Sequence, residues 1–137
     1  MAVQHLAGPK GAVASELIGG NLTALACMAG TAGALYVPDG AILVLEDVGE
    51  PYYRLERSLW QLLNSLDGAR LGAICLGTFT DCPRKGVAHS LDEIFAEYAA
   101  ALGVPLYHGL PSGHGAHNRA WPYGRAAVLE GKSLRWE

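Results

Sequence analysis

The stretch Ala-Ile-Leu-Val-Leu at residues 41–45, which runs directly into Glu46 and Asp47, decides the fold class. An uninterrupted apolar run of this length is typical of a strand that is covered on both faces. Pro51 then suits the first turn of a helix, and leucines recur behind it at helical spacing. We therefore predict a buried strand followed by a helix over residues 52–66 that packs on the same sheet.

Strands and helices alternate along the rest of the chain. The capping box of Ser90 and Glu93 predicts the start of a helix that ends at Gly103, and Asn21 is a suitable N-cap for an earlier helix. The other predicted elements are strands over 14–18, 71–76 and 104–108 and a hairpin over 126–136, while residues 1–11 are expected to be an entry segment. This alternation predicts a single α/β domain with a mostly parallel sheet.

Composition excludes several classes of function. The net charge of −3 gives no basic surface for nucleic acid. No run of 18 apolar residues is long enough to cross a membrane, and residues 1–10 do not resemble a secretory signal. The three cysteines form no C-x-x-C pair. We expect them to be reduced thiols in a cytoplasmic protein.

Two places concentrate polar groups that can do chemistry. Glu46, Asp47 and Glu50 follow the apolar strand, at the edge of an open α/β sheet where ligands bind. Because side chains alternate along a strand, Glu46 and Asp47 should point in opposite directions. Asp47 and Glu50 are expected to cap the next helix. His114 lies between two glycines in a loop and is a candidate general base.

A carboxylate and a histidine are two members of a hydrolase triad, and the nucleophile is the missing one. The chain has no G-x-S-x-G elbow. Cys82 is a possible thiol nucleophile, although its neighbours Asp81 and Pro83 disfavour a low thiol pKa. A metal site of Glu46 with three histidines is a further alternative, but the spacing matches no common zinc motif. Those histidines are His108, His114 and His117.

Three motifs resemble one known family. The segment G-G-N-L at 19–22, the block L-E-D-V-G-E-P-Y-Y-R at 45–54 and the Gly113-His114 pair are similar, in this order, to motifs of the C-terminal domain of LD-carboxypeptidases. The resemblance implies a swivelling β/β/α-type domain with a mostly parallel central sheet, a smaller antiparallel sheet and flanking helices. It also implies that Glu46 is the acid and His114 the base of a triad. Its serine would lie in an N-terminal Rossmann-like domain that residues 1–137 do not contain.

The resemblance further implies an activity: removal of terminal D-alanine from cytoplasmic muropeptides during peptidoglycan recycling. No cofactor and no metal are expected, and the partners would be the muropeptide and the N-terminal nucleophile domain. The chain by itself should be inactive. The face that carries Glu46 and His114 should be open, and it is available for pairing with a second copy. Two alternatives remain, a microcin-immunity-type serine amidase and a non-catalytic binding module.

Overall fold

The computed structural model describes residues 1–66 and 70–137. The elements are, in chain order, β1 (Gln4–Ala7), β2 (Val13–Asn21), α1 (Leu22–Met28), β3 (Ala41–Val48), α2 (Tyr52–Asn64), β4 (Leu71–Thr80), α3 (Leu91–Leu102), β5 (Leu106–His108), β6 (Ala126–Glu130) and β7 (Ser133–Trp136). Local sequence explains the helix ends. Asn21 caps α1 by accepting a hydrogen bond from the Ala24 amide, and the Ser90 and Glu93 capping box starts α3.

The strands form one mixed sheet in the order β1-β5-β4-β3-β2-β6-β7. The four central strands, β5, β4, β3 and β2, are parallel. Antiparallel strands flank them, with β1 on β5 and the β6–β7 hairpin on β2. The expected α/β class, with a mostly parallel centre, a smaller antiparallel part and flanking helices, is confirmed. The parallel centre brings the carboxyl ends of β3 and β4 to the same edge.

Each face of the sheet has its own apolar core. On one face, Leu43 and Leu45 of β3 pack with side chains of the helices, including Leu59 and Phe95. The other face is concave, because the sheet curls, and its buried cluster includes the following residues: Ile42, Val44, Cys75, Tyr107 and Leu134. The odd and even residues of β3 therefore serve different cores, as the alternation of a strand requires.

The segment before β1 joins the two ends of the curled sheet. Ala2 forms an antiparallel bridge with Ser133, and the Val3 amide donates to the Lys132 carbonyl over 3.1 Å. The same segment continues as β1, which pairs with β5. Val3 is 3% exposed and belongs to the concave core.

The structure differs from the predicted strand bounds at several places and contains one strand, β1, that was not predicted. Strands β2 and β4 extend beyond the predicted 14–18 and 71–76, because their polar and glycine-rich ends still pair with neighbours. Residues 1–11, expected only as an entry segment, contain β1 and the bridge to Ser133. Neither the composition nor the apolar pattern of Gln4–Ala7 predicts a strand. The segment is a strand because it pairs with β5, which is distant in sequence.

Candidate active site

An irregularity in strand pairing marks the carboxyl end of β3. Leu45 pairs with Leu76 and Asp47 pairs with Phe79, so that two residues of β4, Gly77 and Thr78, face the single residue Glu46. This is the arrangement of a β-bulge, a feature that often lies beside active sites and re-aims a side chain. Glu46 follows the even residues of β3 and points to the concave face, at the mouth of the curled sheet.

Glu46 and His114 form a hydrogen bond across this edge. The Nδ1 of His114 lies 2.8 Å from Oε2 of Glu46. The side chain of Glu46 is 11% exposed, whereas that of His114 is 53% exposed. An ionised carboxylate only accepts hydrogen bonds, so Nδ1 of the imidazole carries the proton. In this tautomer Nε2 is unprotonated, and it is the atom that a general base uses.

The loop that carries His114 lies directly against the ends of β3 and β4. The Ser112 carbonyl accepts from the Thr78 amide over 2.8 Å and from the Thr78 hydroxyl over 3.2 Å. Gly113 has a φ of 133°, and a Cβ there would come within 2.9 Å of the Glu46 carboxylate and closer still to the Thr78 hydroxyl. The sequence expectation that glycine permits a close approach next to His114 is confirmed.

Asp47 points away from Glu46 and His114 and is buried among hydrogen-bond donors. It is 2% exposed. Its carboxylate accepts from the Asn21 side-chain amide (3.0 Å), the Thr23 amide (2.9 Å), the Thr23 hydroxyl (2.7 Å) and the Val48 amide (2.8 Å). Asp47 therefore caps α1, and the expectation that it caps the helix following it in sequence was wrong. The reason is that parallel pairing of β2 and β3 sets the start of α1 beside Asp47.

The other candidate residues lie outside this arrangement. Glu50 is 3.6 Å from Arg54, one turn along the chain, and does not cap α2, whose N-cap is Pro51. His108 Nδ1 lies 3.2 Å from Oδ2 of Asp92, at the start of α3. His117 is exposed. In the part of the chain that the structure describes, no three His, Cys, Asp or Glu side chains are grouped to hold a metal ion.

Cys82 is poorly placed as a nucleophile. Burial raises the pKa of its thiol, and the nearby carboxylates of Asp47 and Glu50 add to the increase, while backbone amides oppose it. Its Sγ donates to the Thr80 carbonyl over 3.4 Å. A raised pKa leaves little thiolate at neutral pH. Cys75 is fully buried in the concave core, which raises its pKa to about 12.

Comparison with known proteins identifies the family. A family model described as the LD-carboxypeptidase C-terminal domain matches residues 14–129. The chain belongs to this family. A murein tetrapeptide carboxypeptidase of Pseudomonas aeruginosa is 77% identical to this LD-carboxypeptidase domain over 134 residues, which are 98% of the chain and 44% of the relative. The chain thus spans less than half the length of that relative.

Solved structures share the fold of the LD-carboxypeptidase domain. The crystal structure of a muramoyltetrapeptide carboxypeptidase from Oxalobacter formigenes has a TM-score of 0.79 and 33% identity, covering 95% of this chain and 45% of that one. The microcin C7 self-immunity protein has a TM-score of 0.80 at 24% identity, covering 93% and 38%. The second likeness shows the fold alone.

No described helix has the length and apolar character needed to cross a bilayer.

Two residues of the candidate site were predicted from the sequence, and two others were not. Glu46 and His114 were singled out from the strand-end argument and the family motifs. Thr78, which holds the histidine loop, and Asn118, whose side chain accepts from the Gly113 amide over 3.1 Å, were missed. An asparagine shortly after a glycine-flanked histidine is a usable signal, because Asn side chains commonly bond to nearby loop amides.

Proposed function

We propose that the chain is the acid- and base-bearing half of a serine LD-carboxypeptidase that removes terminal D-alanine from muropeptides. The observation that carries the proposal is the 2.8 Å bond between Glu46 and His114 in a chain of the LD-carboxypeptidase family. Residues 1–137 are the C-terminal domain in this proposal, and the nucleophilic serine belongs to an N-terminal domain outside the sequence.

His114 is the proposed general base. Its Nε2 takes the proton of the serine hydroxyl as the serine oxygen attacks the carbonyl carbon of the diamino acid's L-centre. The same nitrogen then returns the proton to the amine of D-alanine as the amide C–N bond breaks. A water molecule, activated in the same way, hydrolyses the acyl-enzyme and frees the serine.

Glu46 is the proposed orienting acid. Its carboxylate holds Nδ1–H, which fixes the tautomer and aims Nε2 outward, and it stabilises the imidazolium that forms in each step. The low exposure of Glu46 strengthens this interaction, since the surrounding solvent screens it less. The 53% exposure of the His114 side chain leaves it accessible to a second domain.

The proposed compartment is the cytoplasm. Cys27, Cys75 and Cys82 are all free of disulfides, and a reducing environment keeps such thiols intact. The proposed partners are a muropeptide and the nucleophile domain. The carboxypeptidase activity is preferred to the microcin-immunity activity, because identity to the carboxypeptidases reaches 77%, while the likeness to the immunity protein is one of fold.

A hybrid enzyme tests the proposal. The part of the P. aeruginosa relative that this chain does not cover is joined to the chain, and the product is incubated with an L,D-tetrapeptide while released D-alanine is measured with a D-amino-acid oxidase assay. We expect release by the hybrid and none by the chain alone. A folded hybrid without release would refute the proposal and favour a non-catalytic binding module. Release by the chain alone would show that it has its own nucleophile.

A further inference from the structure

The peptide that leads into His114 is held at successive points. The Leu110 amide donates to the Leu76 carbonyl over 3.1 Å, and the Ser112 amide donates to the Leu110 carbonyl over 2.8 Å. Thr78 then holds the Ser112 carbonyl. These bonds secure the chain up to Ser112, whose exposure is 7%. The Ser112 carbonyl and the Gly113 amide belong to one peptide unit, and Thr78 holds this unit from its carbonyl side only.

The side chain of Asn118 holds the amide side of the same peptide unit. Its Oδ1 accepts from the Gly113 amide over 3.1 Å, and the neighbouring Arg119 amide donates to the Pro111 carbonyl over 2.7 Å. The two bonds close the loop 111–119 at its base, with His114 inside it. Because glycines flank His114, this part of the backbone has few steric limits of its own. A side-chain restraint on the peptide unit before Gly113 therefore helps to fix its direction.

We propose that Asn118 is a positioning residue, which sets the direction of the His114 imidazole toward Glu46 through the Gly113 amide. It does not touch the reacting atoms. Without the amide acceptor, the Ser112–Gly113 peptide is held only through its carbonyl, so the backbone at Gly113 turns more freely and the Nδ1 bond to Glu46 is populated for a smaller share of the time. The inference rests on the proposed function for its kinetic consequence only.

The position of Asn118 makes this role separable from folding. Asn118 is exposed and lies outside both apolar cores. Substitutions at exposed positions usually change the free energy of unfolding only slightly. Asn118→Leu removes the acceptor at nearly constant size, and Asn118→Asp keeps an acceptor at the same place. His117→Ala is the matched control, since His117 is an exposed neighbour in the same loop.

Imidazole ¹⁵N spectroscopy on the 137-residue chain provides the direct test. In the unsubstituted chain the ¹⁵N shifts of His114 should report the Nδ1–H tautomer. We expect Asn118→Leu to convert it to a mixture with the Nε2–H tautomer, with Asn118→Asp and His117→Ala close to the unsubstituted chain. A thermal unfolding curve for each variant establishes that the fold is retained. An unchanged tautomer in Asn118→Leu would overturn the inference.

Kinetics in the hybrid enzyme provide the second readout. Measured at a pH where the neutral imidazole dominates, Asn118→Leu should lower kcat by about ten- to a hundredfold with KM nearly unchanged, as expected for a displaced base. Asn118→Asp should recover most of the loss. A change in KM alone would instead indicate contact with substrate and would refute the positioning role. The spectroscopic result does not depend on peptidase activity, so a hybrid that is inactive in every form refutes the proposed function and leaves the tautomer test standing.

Discussion

Glu46 and Asp47 are consecutive residues whose carboxylates serve opposite faces of the sheet. Glu46 bonds to the imidazole of His114 over 2.8 Å at the concave face, and Asp47 accepts from the Thr23 amide over 2.9 Å on the helical face. The pleat of β3 separates the two acids although they share one backbone. One carboxylate thereby meets the imidazole at the sheet edge, and the other holds the start of α1 against the sheet.

Substitutions at the proposed pair should abolish most turnover of the hybrid enzyme. We expect His114→Ala and Glu46→Ala each to lower kcat on the order of 10³- to 10⁴-fold, because members of a triad act as a unit. Asp47→Ala should lower it much less. Steady-state kinetics of D-alanine release compare the three variants, and near-normal turnover in His114→Ala would mean that another base operates.

Asp47 should matter for stability more than for turnover. Its removal leaves the amide and hydroxyl of Thr23 without their acceptor at the start of α1, so Asp47→Ala should lower the free energy of unfolding by about 2–4 kcal/mol. Glu50→Ala is the control, since its ion pair with Arg54 at 3.6 Å is near the surface and is worth about 0–1 kcal/mol. Urea unfolding measures both, and equal losses would contradict the assignment.

The thiols should differ in reactivity in an order that the structure sets. Because the pKa of Cys82 is raised, its thiolate fraction at neutral pH is small, and we expect iodoacetamide to modify exposed Cys27 first. Cys75, with a pKa of about 12 and no exposed surface, should react only after unfolding. Peptide mass spectrometry over time follows the three sites. Faster modification of Cys82 than of Cys27 would support the hypothesis that Cys82 is a nucleophile.

The capping box of α3 should make part of the stability pH-dependent. The Ser90 amide donates to Glu93 over 2.8 Å, and this bond lowers the pKa of the Glu93 carboxyl in the folded chain. The stabilisation is therefore complete above the unfolded pKa of about 4.3 and is lost as the pH falls through the lower folded value. The stability difference between the unsubstituted chain and Glu93→Gln should become smaller as the pH falls from about 6 to about 3.

Glu97→Gln is the control for this pH effect, because it removes a carboxylate from the exposed side of the same helix. Unfolding by urea at each pH gives the differences. A gap for Glu93→Gln that stays constant with pH would show that the carboxylate does not cap the helix in solution.

Features that are encoded within a few consecutive residues were predicted better than features that depend on contacts between distant elements. Helix α3 starts after Ser90 and ends before Gly103 as expected, because its capping box and its terminal glycine are encoded within a few residues. The placement of Glu46 and His114 at one edge followed from parallel strands and family motifs. The bulge at Gly77 and Thr78 could not be predicted, because it depends on how two distant strands fit together.

The partners of individual side chains were the least predictable feature. Asp47 was expected to serve α2 because that helix follows it in sequence, but the neighbour that it caps is α1, which parallel pairing brings alongside. His108 entered the sequence analysis only as a possible metal ligand, whereas its contact with Asp92 joins β5 to α3 over 3.2 Å. Such contacts depend on the packing of whole elements, which a local pattern does not contain.

The bridge from Ala2 and Val3 to the β6–β7 hairpin has a consequence for the order of folding. It joins the two ends of the described chain, with Met1 bonding to Leu134 across a sequence separation of 133 residues. Closing so long a loop has a large entropic cost that only a nearly complete sheet can offset. The contacts between the two ends of the curled sheet should therefore form late in folding and break early in unfolding. Amides of β7 that face this segment should exchange their hydrogens sooner than those of β3 at the centre of the sheet.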